Sequence, residues 1–120
     1  MTSTLLIYGA TSYTGKLIAL QAQAAGLQLE IGGRDEAKVA ALARDLGVPY
    51  RIFAVDDAPA MSNGLAGITA ILNCAGPFAR TAHLIMAACI GAGVHYLEIT
   101  AEFAVYALAE SLACPTWPWH

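Results

Sequence analysis

The segment Gly9-Ala10-Thr11-Ser12-Tyr13-Thr14-Gly15 sets glycines at both ends of a stretch of small and hydroxyl side chains, directly after the apolar run Leu5-Leu6-Ile7-Tyr8. A phosphate that approaches the start of a helix meets unpaired N–H groups and the positive end of the helix dipole, provided the turn carries no bulk. Gly9 suits the tight turn, and Gly15 lets helix and strand pack closely. Ser12 stands where a second glycine usually sits and offers a small hydroxyl to a phosphate. With Thr11 and Tyr13 these residues make a candidate dinucleotide pyrophosphate site. Two other chemistries fail on spacing. A P-loop needs glycine and Ser/Thr where Ala10 and Leu17 stand, and a Tyr-x-x-x-Lys pair fails because Tyr13 and Lys16 are three apart. A purely structural turn remains the alternative.

The second candidate is Gly32-Gly33-Arg34-Asp35. NAD sites place an acidic residue at the end of the second strand for the ribose 2′-OH, whereas NADP sites use a nearby arginine for the 2′-phosphate. Here glycine fills the acidic place and Arg34 follows it, which favours NADP(H) over NAD(H). Asp35 is expected to act as a helix N-cap. The third is Asn73-Cys74-Ala75-Gly76-Pro77-Phe78. Gly76 permits close backbone approach and Pro77 stiffens the turn, so Gly76 and Pro77 are expected beside the nicotinamide half of the cofactor. Cys74 reads as a buried filler without an activating neighbour. His83 and His95 have no carboxylate partner by spacing, while Glu98 and Glu102 flank the expected cleft and either can meet substrate. No catalytic residue is assigned, and no metal site is expected.

The elements that must position these groups alternate along the chain. Strands are expected at residues 5–8, 27–31, 50–55, 68–74 and 94–99. Helices are expected at 14–25, from the N-cap Asp35 to Gly47, at 80–92 and at 102–112, with a short helix or turn at 57–65. Val39, Leu42, Ala43 and Leu46 fall at i, i+3, i+4 and i+7, the spacing of one buried helical stripe. Near-continuous apolar strands separated by helices imply an α/β fold with a parallel sheet covered on both faces. The glycine turn after the first strand favours the doubly wound, Rossmann-like strand order 3-2-1-4-5.

Composition narrows the classes. Of 120 residues 58% are hydrophobic and 12% charged, with a net charge of -3, so disorder is excluded. The uncharged stretches 58–79 and 81–97 are broken by Asn, Gly, Pro or His, short of an unbroken apolar run of about 20 residues, so no transmembrane segment is expected. No basic n-region precedes the first strand, which makes a cytoplasmic protein the default. Three scattered cysteines form neither a disulfide framework nor a zinc site, and six scattered Lys plus Arg leave no stripe for nucleic acid.

These segments, together with Ala88-Cys89 and Gly93-Val94-His95-Tyr96-Leu97-Glu98-Ile99-Thr100, resemble the NADP-binding domain of saccharopine dehydrogenase-like oxidoreductases from about Leu5 to Glu110. That family includes saccharopine reductases and trans-acting enoyl reductases of lipid biosynthesis. The resemblance implies a Rossmann domain that carries hydride between NADP(H) and a substrate. It assigns Gly9, Thr11, Ser12, Tyr13 and Gly15 to the pyrophosphate turn, Arg34 to the 2′-phosphate, and Gly76 and Pro77 to the nicotinamide side. Ser12 and Ala101 depart from glycines commoner in the family.

Residues 1–112 are expected to form the dinucleotide-binding domain and 113–120, with two Trp and two Pro near the end, an atypical tail. The family's second, substrate-binding domain is expected to be missing, as in a truncated or frame-shifted product, so a small-molecule substrate is expected only with that domain. A non-catalytic dinucleotide-binding or regulatory module, an inactive remnant, and an acyl-phosphate or semialdehyde reductase-like piece are the alternatives. Apolar surface near residues 96–106 and the Trp-rich tail is expected to lack its cover and to be met by another chain, a homo-oligomer being one such arrangement.

Overall fold

The computed structural model describes residues 3–75 and 78–98. Five parallel strands, β1 (Leu5–Tyr8), β2 (Leu29–Gly33), β3 (Tyr50–Ile52), β4 (Ala70–Asn73) and β5 (His95–Glu98), form one sheet in the order β3-β2-β1-β4-β5. Four helices join them: α1 (Tyr13–Ala24), α2 (Glu36–Leu46), α3 (Ala58–Gly64) and α4 (Phe78–Ala92). This is the doubly wound order expected from the sequence. The helix expected at 102–112, the tail, Cys114 and Glu102 lie outside the described residues.

Because side chains alternate across a strand, β1 feeds both layers of the core. Leu6 and Tyr8 join Phe53, Met61, Ile71, Ile85 and Cys89 beneath α3 and α4. Ile7 joins Ala19, Ala22, Leu29, Ile31, Val39, Ala43 and Leu46 beneath α1 and α2. Alanines on the inner face of α1 bring that helix close to the sheet, and its N-terminus is therefore held near the end of β1. Asp35 and Asp57 cap α2 and α3 by accepting from the N–H groups of Lys38 at 3.2 Å and Ala60 at 3.1 Å.

The second strand runs two residues later than its apolar run suggests. Leu27 belongs to the end of α1, since its N–H donates to the Ala22 carbonyl at 3.1 Å, and it is 54% exposed. Pairing with β1 begins at Leu5 with Leu29 and carries the strand on through Gly32, opposite Tyr8, to Gly33, opposite Ile52. The third strand is correspondingly shorter than expected and ends where β2 ends. Burial on both faces holds for the inner strands β1 and β2, whereas Tyr50 and Ile52 on the outer strand β3 are exposed. Arg51 pins that edge: its Nε pairs with Glu30 Oε1 at 2.7 Å and its Nη1 donates to the carbonyls of Gly64 and Ala66.

Candidate functional site

The sheet's order reverses between β1 and β4, and in such sheets the crevice outside the carboxyl ends of the strands at that point is the usual seat of ligands. Gly9 turns the chain out of β1 with φ +80°, and a Cβ on it would lie 2.6 Å from the Ala75 nitrogen and 2.8 Å from the Cys74 carbonyl carbon. The two strand ends therefore meet backbone to backbone. Gly15 serves the same closeness on the helix side, since a Cβ there would lie 2.5 Å from the Gly9 oxygen.

Ser12 is the N-cap of α1. Its hydroxyl donates to the Gly9 carbonyl at 2.9 Å and accepts from the Gly15 N–H at 3.1 Å, so it closes the turn on itself. The hydroxyl proton is thus directed inward, away from an incoming anion. The turn leaves backbone donors uncommitted: the N–H groups of Tyr13 and Thr14 open α1 and have no acceptor among the described residues. Thr11 is half-buried at the rim, and the Tyr13 ring stands 80% exposed.

Arg34 follows Gly33 at the end of β2, exposed and without a carboxylate at ion-pair distance among the described residues. Its charge reaches Tyr8, whose phenol donates to the Phe53 carbonyl at 2.7 Å. Burial pushes that phenol up to about 12, the Arg34 charge opposes the shift and Asp56 adds to it. A side chain at Gly33 would meet Val39 Cγ2 at 2.9 Å.

On the other side of the crevice lies a polar cluster that sequence reasoning did not assemble. Asn73, fully buried at the end of β4, donates from Nδ2 to Thr81 Oγ1 at 3.1 Å and to Tyr96 Oη at 3.0 Å. Its Oδ1 accepts from the Ala75 N–H at 3.0 Å, and the Thr81 hydroxyl donates to the Ala75 carbonyl at 2.9 Å. The Tyr96 phenol donates to Glu98 Oε2 at 3.0 Å. Burial raises the Tyr96 pKa, opposed by the bond from Asn73 and assisted by Glu98. An asparagine ending an otherwise apolar inner strand was the signal: a buried amide must be fully bonded, which calls for hydroxyls nearby.

Gly76 and Pro77 lie outside the described residues. His83 and His95 are exposed on α4 and β5, with no acidic partner at ion-pair distance among the described residues. Among the described residues no cluster of His, Cys, Asp or Glu could hold a metal ion, and no helix is long and apolar enough to cross a membrane. A groove of about 560 Å³ opens between α3 and α4, lined largely by Ala, Gly and Met61, with Asp56 at one side.

Cys74 and Cys89 are buried free thiols. Burial pushes Cys74 up to about 11 and Cys89 up to about 12, from an ordinary 9.0. Each of these groups, like Tyr8, keeps its proton in the folded chain to a higher pH than in the unfolded one. Their contribution to stability is complete below the unfolded values and is lost as pH rises through the folded ones. The chain is therefore expected to lose on the order of 1–3 kcal/mol per group between about pH 9 and 12, and Cys74 and Cys89 are expected to react slowly with thiol reagents at neutral pH. Urea unfolding at stepped pH checks this, and a midpoint unchanged from pH 9 to 12 would contradict it.

The profile of the family described as the saccharopine dehydrogenase NADP binding domain matches residues 5–116, starting at Leu5 and running past Glu110. It agrees with the preference for NADP(H) over NAD(H). No curated protein sequence matches the chain. Among solved structures the chain is similar to apo saccharopine dehydrogenase (L-Glu forming) from Saccharomyces cerevisiae, with a TM-score of 0.75 and 17% identity over 88% of this chain and 24% of that one. It is also similar to Citrobacter sp. triphenylmethane reductase complexed with NADP(H), with a TM-score of 0.74 and 21% identity over 90% of this chain and 45% of that one. At these identities the likeness is one of fold. The chain spans about a quarter and a little under half of the lengths of these two relatives.

Proposed function

The chain belongs to the saccharopine dehydrogenase NADP-binding domain family, and from that premise we propose that it is the cofactor-binding part of an NADP(H)-dependent oxidoreductase. The observation that carries the reading is the glycine turn at the β1–β4 switch point, whose first helical N–H groups have no acceptor among the described residues. Backbone N–H groups of Tyr13 and Thr14, with Thr11 at the rim, would hold the pyrophosphate. Gly9 and Gly15 would keep the turn shallow and Ser12 would hold its shape. Arg34 would pair with the 2′-phosphate, and Gly76 and Pro77 would border the nicotinamide half. When bound, NADPH supplies a hydride; the Citrobacter reductase, of the same fold, is a protein complexed with that cofactor.

In this reading residues 1–112 are the dinucleotide domain and 113–120 lie outside it. Substrate recognition, for imino-acid or enoyl compounds, belongs with a second domain, in keeping with the greater length of the similar structures. A semialdehyde reductase reading is disfavoured because it needs a reactive cysteine, and Cys74 and Cys89 are buried thiols with raised pKa values. Calorimetric titration of the purified chain with NADPH and with NADH is expected to show binding of NADPH with clear preference. Absence of binding by both at millimolar concentration would overturn the proposal.

A further inference from the structure

We propose that Asn73, Thr81 and Tyr96 are positioning residues for the bound dinucleotide, acting together to hold Ala75 against the glycine turn. The inference rests on the cofactor reading above and goes beyond it by assigning a role to side chains that lie outside the glycine turn. Both polar groups of the Ala75 backbone are taken: its N–H by Asn73 Oδ1 and its carbonyl by the Thr81 hydroxyl. Ala75 is also the residue whose nitrogen and Cα approach Gly9 most closely, at 2.6 and 2.8 Å from where a Cβ would stand. The approach of the β4 end to the glycine turn is thus made by a residue clamped from the β4 side.

The clamp is itself fixed by direction of hydrogen bonding. The Thr81 proton goes to Ala75 and the Tyr96 proton goes to Glu98, so both oxygens face Asn73 as acceptors and match the two protons of its Nδ2. That leaves Asn73 Oδ1 to accept from Ala75, so the amide has one orientation that satisfies every partner. Because Asn73 is fully buried, a lost partner is not replaced by water, and the strand end must shift instead. The cluster spans β4, α4 and β5, and Asn73 stands in register with Glu98, so the outer strand supports the crevice through Tyr96.

The test compares a ligand that needs the β4 side with one that does not. NADPH lies across the switch point, whereas adenosine 2′,5′-bisphosphate is confined to the β1–β2 side with Arg34. In Thr81→Val, which keeps the shape and removes the hydroxyl, the NADPH Kd is expected to rise roughly tenfold while the bisphosphate Kd changes by less than about twofold. Thr81→Ser, which keeps the hydroxyl, is expected to restore NADPH affinity. Tyr96→Phe is expected to act in the same direction and carries the comparison should Thr81→Val fail to fold. Equal loss of both ligands would make the cluster merely structural and overturn the proposal, as would unchanged NADPH affinity in both variants. A wild-type chain that binds neither ligand would instead overturn the cofactor reading, and the positioning role with it.

Discussion

Gly9→Ala is expected to lower the melting temperature by about 10–20 °C and to abolish NADPH binding. Two costs combine at this position. A non-glycine residue at φ +80° costs about 1–2 kcal/mol. The new Cβ would also stand 2.6 Å from the Ala75 nitrogen, a backbone atom that cannot rotate away, and such overpacking costs about 1–3 kcal/mol. A combined loss of about 2–5 kcal/mol is a large part of the total stability of roughly 6–18 kcal/mol expected for a domain of this size. Gly26→Ala is the matched control, because Gly26 has φ +79° and nothing within 4 Å of its Cβ position. That variant is expected to lose only about 1–2 kcal/mol and to keep its cofactor affinity. Thermal unfolding of both separates torsional strain from collision; equal shifts in the two would remove the close approach of β1 and β4 as the reason for glycine at position 9.

The contrast between these two glycines also marks what the sequence could and could not reveal. The sequence marks Gly9 by the motif it opens, but not the collision that a side chain there would meet and one at Gly26 would not. That collision follows from the sheet order, which brings residue 75 beside residue 9 from far along the chain. Strand order itself was legible, because continuous apolar runs separated by helices permit few parallel arrangements. Strand ends were less so. The β2 boundary moved because a parallel register continues through glycines that carry no hydrophobic signal, and because Leu27 serves the end of α1. At the crevice, the glycine turn and Arg34 announce themselves by local spacing. The Asn73 cluster does not, since its members lie on β4, α4 and β5 and share no motif. Ser12 lies between these cases: a small hydroxyl at the turn was readable, but the direction of its proton toward Gly9 depends on the geometry of the cap.

Arg34→Ala is expected to weaken NADPH binding by about 10–100-fold while changing the NADH Kd by less than about twofold, since charge-assisted bonds to a phosphate are worth about 1.5–3 kcal/mol. The guanidinium is exposed and has no carboxylate partner among the described residues, so a 2′-phosphate need not displace an existing ion pair to reach it. Arg51, the other arginine near β2, is already committed to Glu30 and two carbonyls and cannot substitute. Nor does the strand end favour NADH. The place of the acidic residue that would accept from a ribose hydroxyl is Gly33, where a side chain would press Val39 Cγ2 at 2.9 Å. The next carboxylate, Asp35, already caps α2 through Lys38. Arg34→Lys is expected to fall between wild type and alanine, because an ammonium keeps the charge and loses the planar fork. The NADPH affinity of the wild type should also fall more steeply with salt than that of Arg34→Ala, an exposed ion pair being screened. Parallel titrations with NADPH and NADH decide the matter: equal losses for the two cofactors would remove Arg34 from the 2′-phosphate and move the source of NADP preference elsewhere in the fold.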